Sequence, residues 1–507
     1  MNPAYAVWGA AEARAHDQAA VERGVDPAWL MEVAGAKAAG VLTARAPQGP
    51  VTVLVGPGQN GGDGLVVARY LARQRPTRVV LLRGVPHFAG ADRLVVAARG
   101  YGAEILPESD LPRALAQSQW VVDAVLGTGL TGPLREWAYS ALSRVAEVGL
   151  PVWALDLVSG VESDTGVYRG PDGLRAEGTV TFGALKWGQV LYPGAGRGGE
   201  VWVADIGLPS LGDEGARLPL PAAYRRLLPP VLPDRHKYRR GRVVVIGGSE
   251  AMPGAPVLAA EAALRAGAGV VELWVPEALA ARVRPSPALL VRPVGRPGER
   301  VLRLTPAEEA MLSRADAVVF GPGGGRALAP NLLARILALG RPVVVDGDGL
   351  GLLTAVPGAD RATEVVLTPH EGEMARLLGC SPAAVHADRV GAFRAAAARY
   401  AGTVVLKGPF TIVGDRRHQA VNPSGGPELA TAGSGDVLSG IIAALWAQGL
   451  AGREAATLGV YLHGWCGTFA AEHRGRAVVA PDVIDALPEA WAAVEAERRP
   501  WGLPEGC

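Results

Sequence analysis

Ten short runs of valine, leucine and isoleucine recur along this chain, each ending in glycine or a polar residue and most separated by stretches long enough for a helix. In the first half they are VTVLV at 51–55, RVVLL at 78–82, WVVDAV at 120–125 and PVWALD at 151–156. In the second they are RVVVIGG at 242–248, VVELWV at 270–275, DAVVFGP at 316–322, PVVVDGD at 342–348, EVVLTPH at 364–370 and TVVLKG at 403–408. Runs that stay apolar instead of alternating belong to strands buried on both faces, and helical crossovers make such strands parallel. Ala-rich stretches at 255–267 and 385–400 supply helices in the second half. The expectation is therefore an α/β protein with two sheets, and ligands are expected at the carboxyl ends of the strands.

A chain of 507 residues has length for several domains. The stretch 208–235 carries six prolines and reads as a connection between the two sheets. With 50 basic against 49 acidic residues the formal charge is +1, which leaves no global field for nucleic acid or an anionic membrane. Three scattered cysteines make no disulfide framework and point to a reduced, cytoplasmic compartment. The charged amino-terminal stretch does not read as a secretory signal, and the apolar run 437–446 is short enough to be a buried helix. Trp187 and Trp446 read as core filling. Only Lys37, Lys186, Lys237 and Lys407 are lysine, arginine filling the other cationic positions.

In the first half, VTVLVGPGQNGGDGLVVARYL at 51–71 reads as a buried strand, a glycine-rich turn and a helix starting near Asp63. Such a turn lets a ligand approach the backbone and offers helix N–H groups to phosphate, although it serves equally as a tight crossover. Its spacing is neither that of a dinucleotide fingerprint nor that of a P-loop. Two further strands end at Asp123 and Asp156, the first running into GTGLTGP and the second followed by Ser159. Each aspartate alone could be a cap or turn former; three polar strand ends on one edge make a pocket.

Together with LMEVAG at 30–35, TFGALKWG at 181–188 and VADIGLP at 203–209, these blocks resemble the NAD(P)H-hydrate epimerase domain. The resemblance implies a Rossmann-like three-layer sandwich over 1–210 that interconverts the epimers of hydrated NADH or NADPH. It implies a potassium ion on Asn60, Asp123 and Ser159 and an acid/base role for Asp156. The coenzyme would lie along Gln59, Asn60, Gly61, Gly62 and Asp63, and along Gly127, Thr128, Gly129, Leu130, Thr131, Gly132 and Pro133. Two positions depart from the family pattern. Gln59 replaces an asparagine, which alters reach, and Val158 replaces a proline, which is expected to loosen the turn that aims Ser159.

The second half holds a longer signal, ELATAGSGDVLSGIIAALWAQG at 428–449. AGSGD is a glycine-rich turn opening a helix, suited to a phosphoryl group in transfer, and Asp436 stands where it could take a proton from an attacking hydroxyl. Upstream, GGSEAMPGA, GPGGG at 321–325, VVVDGDGL at 343–350, LTPHEGEM at 367–374 and VVLKGPFTIVG at 404–414 all follow strands. Taken alone, His370 reads as a turn residue or cap.

These ordered blocks resemble the ADP- or ATP-dependent NAD(P)H-hydrate dehydratase, which implies a ribokinase-like fold over 235–507 after a linker at 211–234. The resemblance implies that ADP phosphorylates the hydrate hydroxyl, giving AMP and phosphate, with magnesium on the nucleotide. Ala255, Gly323 and His370 would contact the hydrate. Lys407, Gly408, Pro409, Phe410 and Thr411, with Gly433, Ser434 and Gly435, would hold the nucleotide, and Asp436 would be catalytic. Ala288 stands where relatives commonly carry glutamate. The competing reading is a small-molecule kinase of the same fold carrying a non-catalytic amino-terminal module. A homo-oligomer is expected on general grounds.

Overall fold

The computed structural model describes residues 4–500 and 502–507, apart from 213, 231, 232, 235 and 296–300. It divides into two compact units, one of residues 5–214 with 502–507 and one of residues 1–4 with 215–501. Residues 213, 231 and 232 of the expected linker, and residue 235 at the expected start of the second domain, lie outside the described residues.

In the smaller unit eight parallel strands form one sheet in the order Glu505–Gly506, Glu200–Ala204, Gly178–Phe182, Val152–Leu155, Trp120–Ala124, Val51–Val55, Thr77–Leu81, Glu104–Pro107. Chain direction across the sheet reverses at Val51–Val55, from which one path runs to Thr77–Leu81 and the other to Trp120–Ala124. That is the switch point where a doubly wound sheet opens a crevice. One face buries Leu42, Leu65, Val67 and Leu71 of the helices Pro27–Arg45 and Gln59–Leu71, and the other buries Leu111, Leu142 and Val145 of Leu111–Ala116 and Glu136–Val148. The three-layer sandwich expected from the apolar runs is present.

The larger unit carries a sheet ordered Leu290–Val294, Val270–Pro276, Arg242–Ile246, Ala317–Phe320, Val343–Val345, Val365–Leu367, Thr403–Leu406, Ile412–Gly414, His418–Val421 and Gly215–Pro219. The first seven are parallel, and antiparallel pairing begins after Leu406. Ala255–Arg265, Ser434–Ala447 and Gly452–Arg474 cover one face, while Pro330–Ala338 and Glu371–Leu378 lie toward the other. Trp187 and Trp446 are buried, as their reading as core residues required.

Three sequence expectations need correction. The Pro-rich stretch is not wholly a linker. Gly215–Pro219 pairs in parallel with His418–Val421, Ala216 and Leu218 point inward, and Tyr224 of the helix Pro221–Arg225 is buried against Tyr461 with ring centroids 3.6 Å apart. Proline is tolerated in the first turn of a helix and at the last residue of this strand, so its abundance did not preclude structure. The predicted helix at 385–400 is two helices, Pro382–Ala387 and Arg389–Arg399, because Asp388 leaves helical geometry to cap the second.

The third correction concerns the glycine-rich turn. The helix starts at Gln59, not near Asp63, so Gln59, Asn60, Gly61, Gly62 and Asp63 form its first turns. Those glycines serve close packing more than turning. A Cβ at Gly61 would lie 2.1 Å from the Gly56 carbonyl oxygen, and one at Gly64 2.5 Å from Ala124 Cβ. Low helix propensity is overridden where only hydrogen fits.

Candidate active sites in two units

In the smaller unit Asp123 ends its strand fully buried. Its Oδ1 accepts from the Ser159 hydroxyl at 2.6 Å and its Oδ2 from the Ser159 N–H at 2.8 Å, while the Leu126 N–H donates to the same hydroxyl at 2.9 Å. The turn holding Ser159 is therefore fastened from two sides despite Val158, contrary to the expected loosening. Burial pushes the Asp123 carboxyl above its ordinary range, against the pull of these hydrogen bonds. Asn60 is 8 % exposed, donates its amide to the Leu155 carbonyl at 3.2 Å and leaves Oδ1 buried without a partner. A buried orphan oxygen is costly, and a bound cation is one way to satisfy it.

Asp156 takes a left-handed backbone, φ 65°, which is strained for a non-glycine residue. The surroundings hold it there: its N–H donates to Val180 O at 2.7 Å and its carbonyl accepts from Gln189 at 2.8 Å. Lys186, 2 % exposed, donates to Asp156 Oδ1 at 2.5 Å, Thr181 Oγ1 at 3.0 Å and the Phe182 carbonyl at 2.8 Å. Oδ2 of Asp156 faces the loop that begins at Gly127, where a Cβ would lie 3.2 Å away and 3.5 Å from Asn60 Cβ. Asn60, Asp156 and Gly127 thus share one space. Most of Gly127–Pro133 is exposed or half-buried, with Gly132 N–H tied to Glu162 at 3.2 Å. Gln59 is exposed at the helix start.

In the larger unit the strand-end loops converge on Lys407. Its ammonium donates to Asp346 Oδ1 at 3.0 Å, lies 3.7 Å from Glu373 Oε2, and would sit 3.1 Å from a Cβ at Gly435. Asp346 is 2 % exposed and also accepts from Thr368 at 2.7 Å. Burial alone would lower the Lys407 pKa, but Asp346 and Glu373 outweigh it and the net direction is upward. Asp348 accepts from Gly325 N–H at 2.8 Å, joining the GPGGG loop to the same set.

Asp436 lies in the first turn of Ser434–Ala447, behind Gly433, whose φ of 88° requires glycine. Its side chain is not a cap. Burial first, then the charge of Asp346, pushes its carboxyl up to about 7, against the pull of Lys407. Ser434 does not cap the helix either; its hydroxyl is 3.1 Å from Nε2 of buried His463. Burial depresses His463 to about 4, so it is neutral at physiological pH.

Ala255 and Gly323 lie side by side, since a Cβ at Gly323 would lie 2.8 Å from Ala255 Cβ. His370 caps Glu371–Leu378, with Nδ1 accepting from Gly372 N–H at 3.0 Å and from Glu373 N–H. An accepting Nδ1 places the proton on Nε2, whose half-exposed ring can still donate to a ligand. Gly408, Pro409, Phe410 and Thr411 form the turn between Thr403–Leu406 and Ile412–Gly414. Phe410 sits at φ 49°, and a Cβ at Gly408 would lie 2.4 Å from Arg389 Nη1.

Lys186, Asp346, Glu373 and His463 were not singled out as site residues from the sequence. Lysine retained at 186 and 407 in an arginine-rich chain was a usable signal, as was the strand-terminal Asp346. His463 lies mid-helix, with nothing local to mark it. Among the described residues no group of three or more His, Cys, Asp or Glu is placed to hold a metal, and no helix is long and apolar enough to cross a membrane.

Comparison with known proteins agrees with this division. Residues 243–489 match the family model described as NAD(P)H-hydrate dehydratase, and residues 27–188 match the YjeF-related protein N-terminus. The chain is 37 % identical over 94 % of its length, and 94 % of the relative's, to the bifunctional NAD(P)H-hydrate repair enzyme Nnr of Thermofilum pendens. It is 39 % identical over 88 % of both chains to the protein of that name from Moorella thermoacetica. Among solved structures, the ADP/ATP-dependent NAD(P)H-hydrate dehydratase of Bacillus subtilis, co-crystallised with ATP and magnesium, is 26 % identical with a TM-score of 0.46, covering 54 % of this chain and 97 % of that one. Similarity along nearly the whole of both chains, with the two family models in order, establishes that this chain belongs to the family of bifunctional NAD(P)H-hydrate repair enzymes, an epimerase domain preceding a dehydratase domain.

Proposed function

We propose that the smaller unit interconverts the R and S epimers of NAD(P)H hydrate around Asp156, and that the larger unit dehydrates the S epimer at Asp436 with ADP as phosphoryl donor. The observation that carries the second assignment is a buried carboxyl at about 7, beside an ammonium and a glycine-rich helix start. A base poised near neutrality is half ionised where it works. The hydrate oxygen attacks the terminal phosphorus of ADP, its proton passes to Asp436, and the bond to the bridging oxygen breaks to release AMP. Phosphate then departs with the C–O electron pair as the ring nitrogen supplies electrons, and loss of a proton from the adjacent carbon restores the dihydropyridine. Hydroxide would be a far poorer leaving group than phosphate.

The N–H groups at Gly433 and Gly435 would face charge that develops on the phosphoryl oxygens, the Ser434 N–H being donated to the Thr431 carbonyl at 3.3 Å. Lys407 to Thr411 would hold the nucleotide, and Ala255, Gly323 and His370 the hydrate. Magnesium would enter with the nucleotide, bound chiefly through phosphate oxygens and water. In the epimerase, the orphan Oδ1 of Asn60 suits a hard monovalent cation, which Asp123 and Ser159 would help to hold, and potassium there would neutralise buried charge. Gln59 to Asp63 and Gly127 to Pro133 would line the coenzyme, a reading supported by Gly127, where a Cβ would lie 3.2 Å from Asp156 Oδ2 and 3.5 Å from Asn60 Cβ.

The test is direct: purified protein, the hydrate of NADH, magnesium and ADP, with nicotinamide absorbance followed over time. Full recovery from an epimeric mixture is expected. No recovery with ADP or ATP would remove the dehydratase reading, and recovery with ATP alone would correct the donor.

A further inference from the structure

The helix expected at 385–400 breaks at Asp388, and the break delivers a residue to the larger unit's site. Asp388 leaves helical geometry, φ −143° and ψ 78°, and its carboxylate accepts from the Gly391 N–H at 2.7 Å. Arg389 then opens the helix Arg389–Arg399 with only 7 % of its surface exposed. Its Nη1 donates to Glu371 Oε1 at 2.6 Å and its Nη2 to the Lys407 carbonyl at 3.4 Å. The guanidinium lies against Gly408, where both Nη atoms and the central carbon fill the place a Cβ would take.

Stability does not account for an arginine in that position. A cation in the first turn of a helix opposes the macrodipole, which favours cations at the other end. The attraction within a buried ion pair often fails to offset its desolvation. Nε of the same guanidinium is buried with no hydrogen-bond partner, a further cost. What the guanidinium holds explains it better.

It holds two loops of the site together. One is the turn at 407–411, where Gly408 has φ 138° and Phe410, which is not glycine, has φ 49°. Such conformations persist only where the surroundings fix them. Here the Lys407 N–H donates to the Pro369 carbonyl at 2.9 Å, the Thr411 hydroxyl to the Gly408 carbonyl at 2.8 Å, and Arg389 to the Lys407 carbonyl. The other loop is the start of the helix Glu371–Leu378, which His370 caps. Glu371 is gripped from two sides, since its Oε2 lies 3.1 Å from His386 Nδ1 while Oε1 takes Arg389.

We propose that Arg389 is a positioning residue of the dehydratase. It sets the turn at 407–411 for the nucleotide and, through Glu371, ties that turn to the helix start at His370 on the hydrate side. This rests on the nucleotide and hydrate roles given above to those residues. The geometry calls for a planar fork, with two donors reaching acceptors on separate loops while the flat face rests on Gly408. A lysine ammonium has no such face and is a single point of charge. Because one side chain bonds both loops, a nucleotide that fixes the turn also fixes the helix start, and each ligand favours binding of the other.

The experiment uses the full chain, the S epimer of NADH hydrate, magnesium and ADP, with initial rates measured while each substrate is varied against the other. Arg389→Met is expected to raise the ADP KM about 10-fold or more with kcat changed by no more than about three-fold, because Asp436 and the turn at Gly433 are untouched. Arg389→Lys is expected to keep the raised KM. Guanidinium ion added to Arg389→Ala, at a concentration that leaves the unfolding midpoint unchanged, is expected to lower it again. In the wild type the ADP KM falls as hydrate rises. Glu371→Ala removes that dependence, and the double variant with Arg389→Met is no worse than Arg389→Met alone.

A wild-type ADP KM in Arg389→Met overturns the proposal. So does a defect confined to kcat, a KM that Arg389→Lys restores in full, or a defect that guanidinium ion does not move. Where Arg389→Met does not fold, Arg389→Lys carries the test, and a wild-type KM there overturns it. Additive effects of Arg389→Met and Glu371→Ala overturn the tie to the hydrate side. Wild-type protein that restores no NADH with either ADP or ATP overturns the reading of the larger unit, and this inference with it.

Discussion

Both units place one lysine, buried in the smaller and half-buried in the larger, beside carboxylates at the carboxyl ends of strands, yet they use it differently. Lys186 gives its shortest bond to Asp156, the residue assigned to chemistry, and its remaining bonds to Thr181 and backbone carbonyls. Lys407 gives its shortest contacts to Asp346 and Glu373, and acts on Asp436 only through space. Direct pairing fixes the carboxylate's orientation. Pairing with the neighbours instead lets burial and Asp346 carry the reacting carboxyl up to about 7. The difference teaches that a lysine near an aspartate does not reveal which job the aspartate does; the identity of the directly bonded partner does.

The comparison can be broken most severely at Asp436. Asp436→Asn is expected to abolish NADH recovery, a loss of at least about 10²-fold, while epimer exchange persists. Its stability should report the same cause. A carboxyl raised to about 7 in the folded protein from 3.8 favours the folded state only while protonated, so stability falls as pH rises between those values. The variant should therefore lose that pH dependence, about 2.7 kcal/mol between pH 5 and pH 8, when unfolding free energies are compared at the two.

Next in size is Lys186→Met. Removing the ammonium leaves Asp156 short of its direct partner, and breaking a buried pair costs about 3 kcal/mol. Chemical denaturation and epimer exchange should both be impaired. Lys186→Arg is expected to rescue poorly, because a planar guanidinium cannot fit the four acceptors that the compact ammonium reaches.

Lys407→Met sharpens the comparison from the other side. Lys407 lowers the Asp436 pKa, so the variant's dehydratase profile should shift its acid limb above pH 7, with about 10-fold or greater loss at neutrality. A profile that keeps its midpoint would show that the ammonium serves the nucleotide alone.

The smallest effect is expected at His463. Depressed to about 4 from 6.5, it stays neutral in the folded chain, and stability should fall as pH drops from 6.5 toward 4 while the unfolded chain binds the proton. His463→Gln should flatten that slope and raise the nucleotide KM a few-fold through its contact with Ser434. An unchanged slope would remove the buried imidazole as its cause.

The apolar runs were legible because strands buried on both faces need no partner to be recognised. VTVLV at 51–55 is a strand at those residues, and the other nine runs begin within a residue of theirs and end within three. Other strands were not: the edge strands Glu104–Pro107 and Leu290–Val294 carry exposed or charged residues, and Gly215–Pro219 carries proline, so composition hid them. The glycine-rich loop was found but its helix boundary misplaced, since what decides Gly61 and Gly64 is the atoms packed against them.

By itself the sequence determined two parallel α/β sheets, the strand ends at which chemistry gathers, and the positions of Asp123, Asp156 and Asp436. These are local facts, written in runs of adjacent residues. Only tertiary structure decided that Lys186 binds Asp156, that Asp346 and Glu373 occupy Lys407, and that His463 stands behind Ser434. The charge state of a buried carboxyl depends on neighbours brought from distant parts of the chain and on how much water they exclude. Neither is written in the residues beside it.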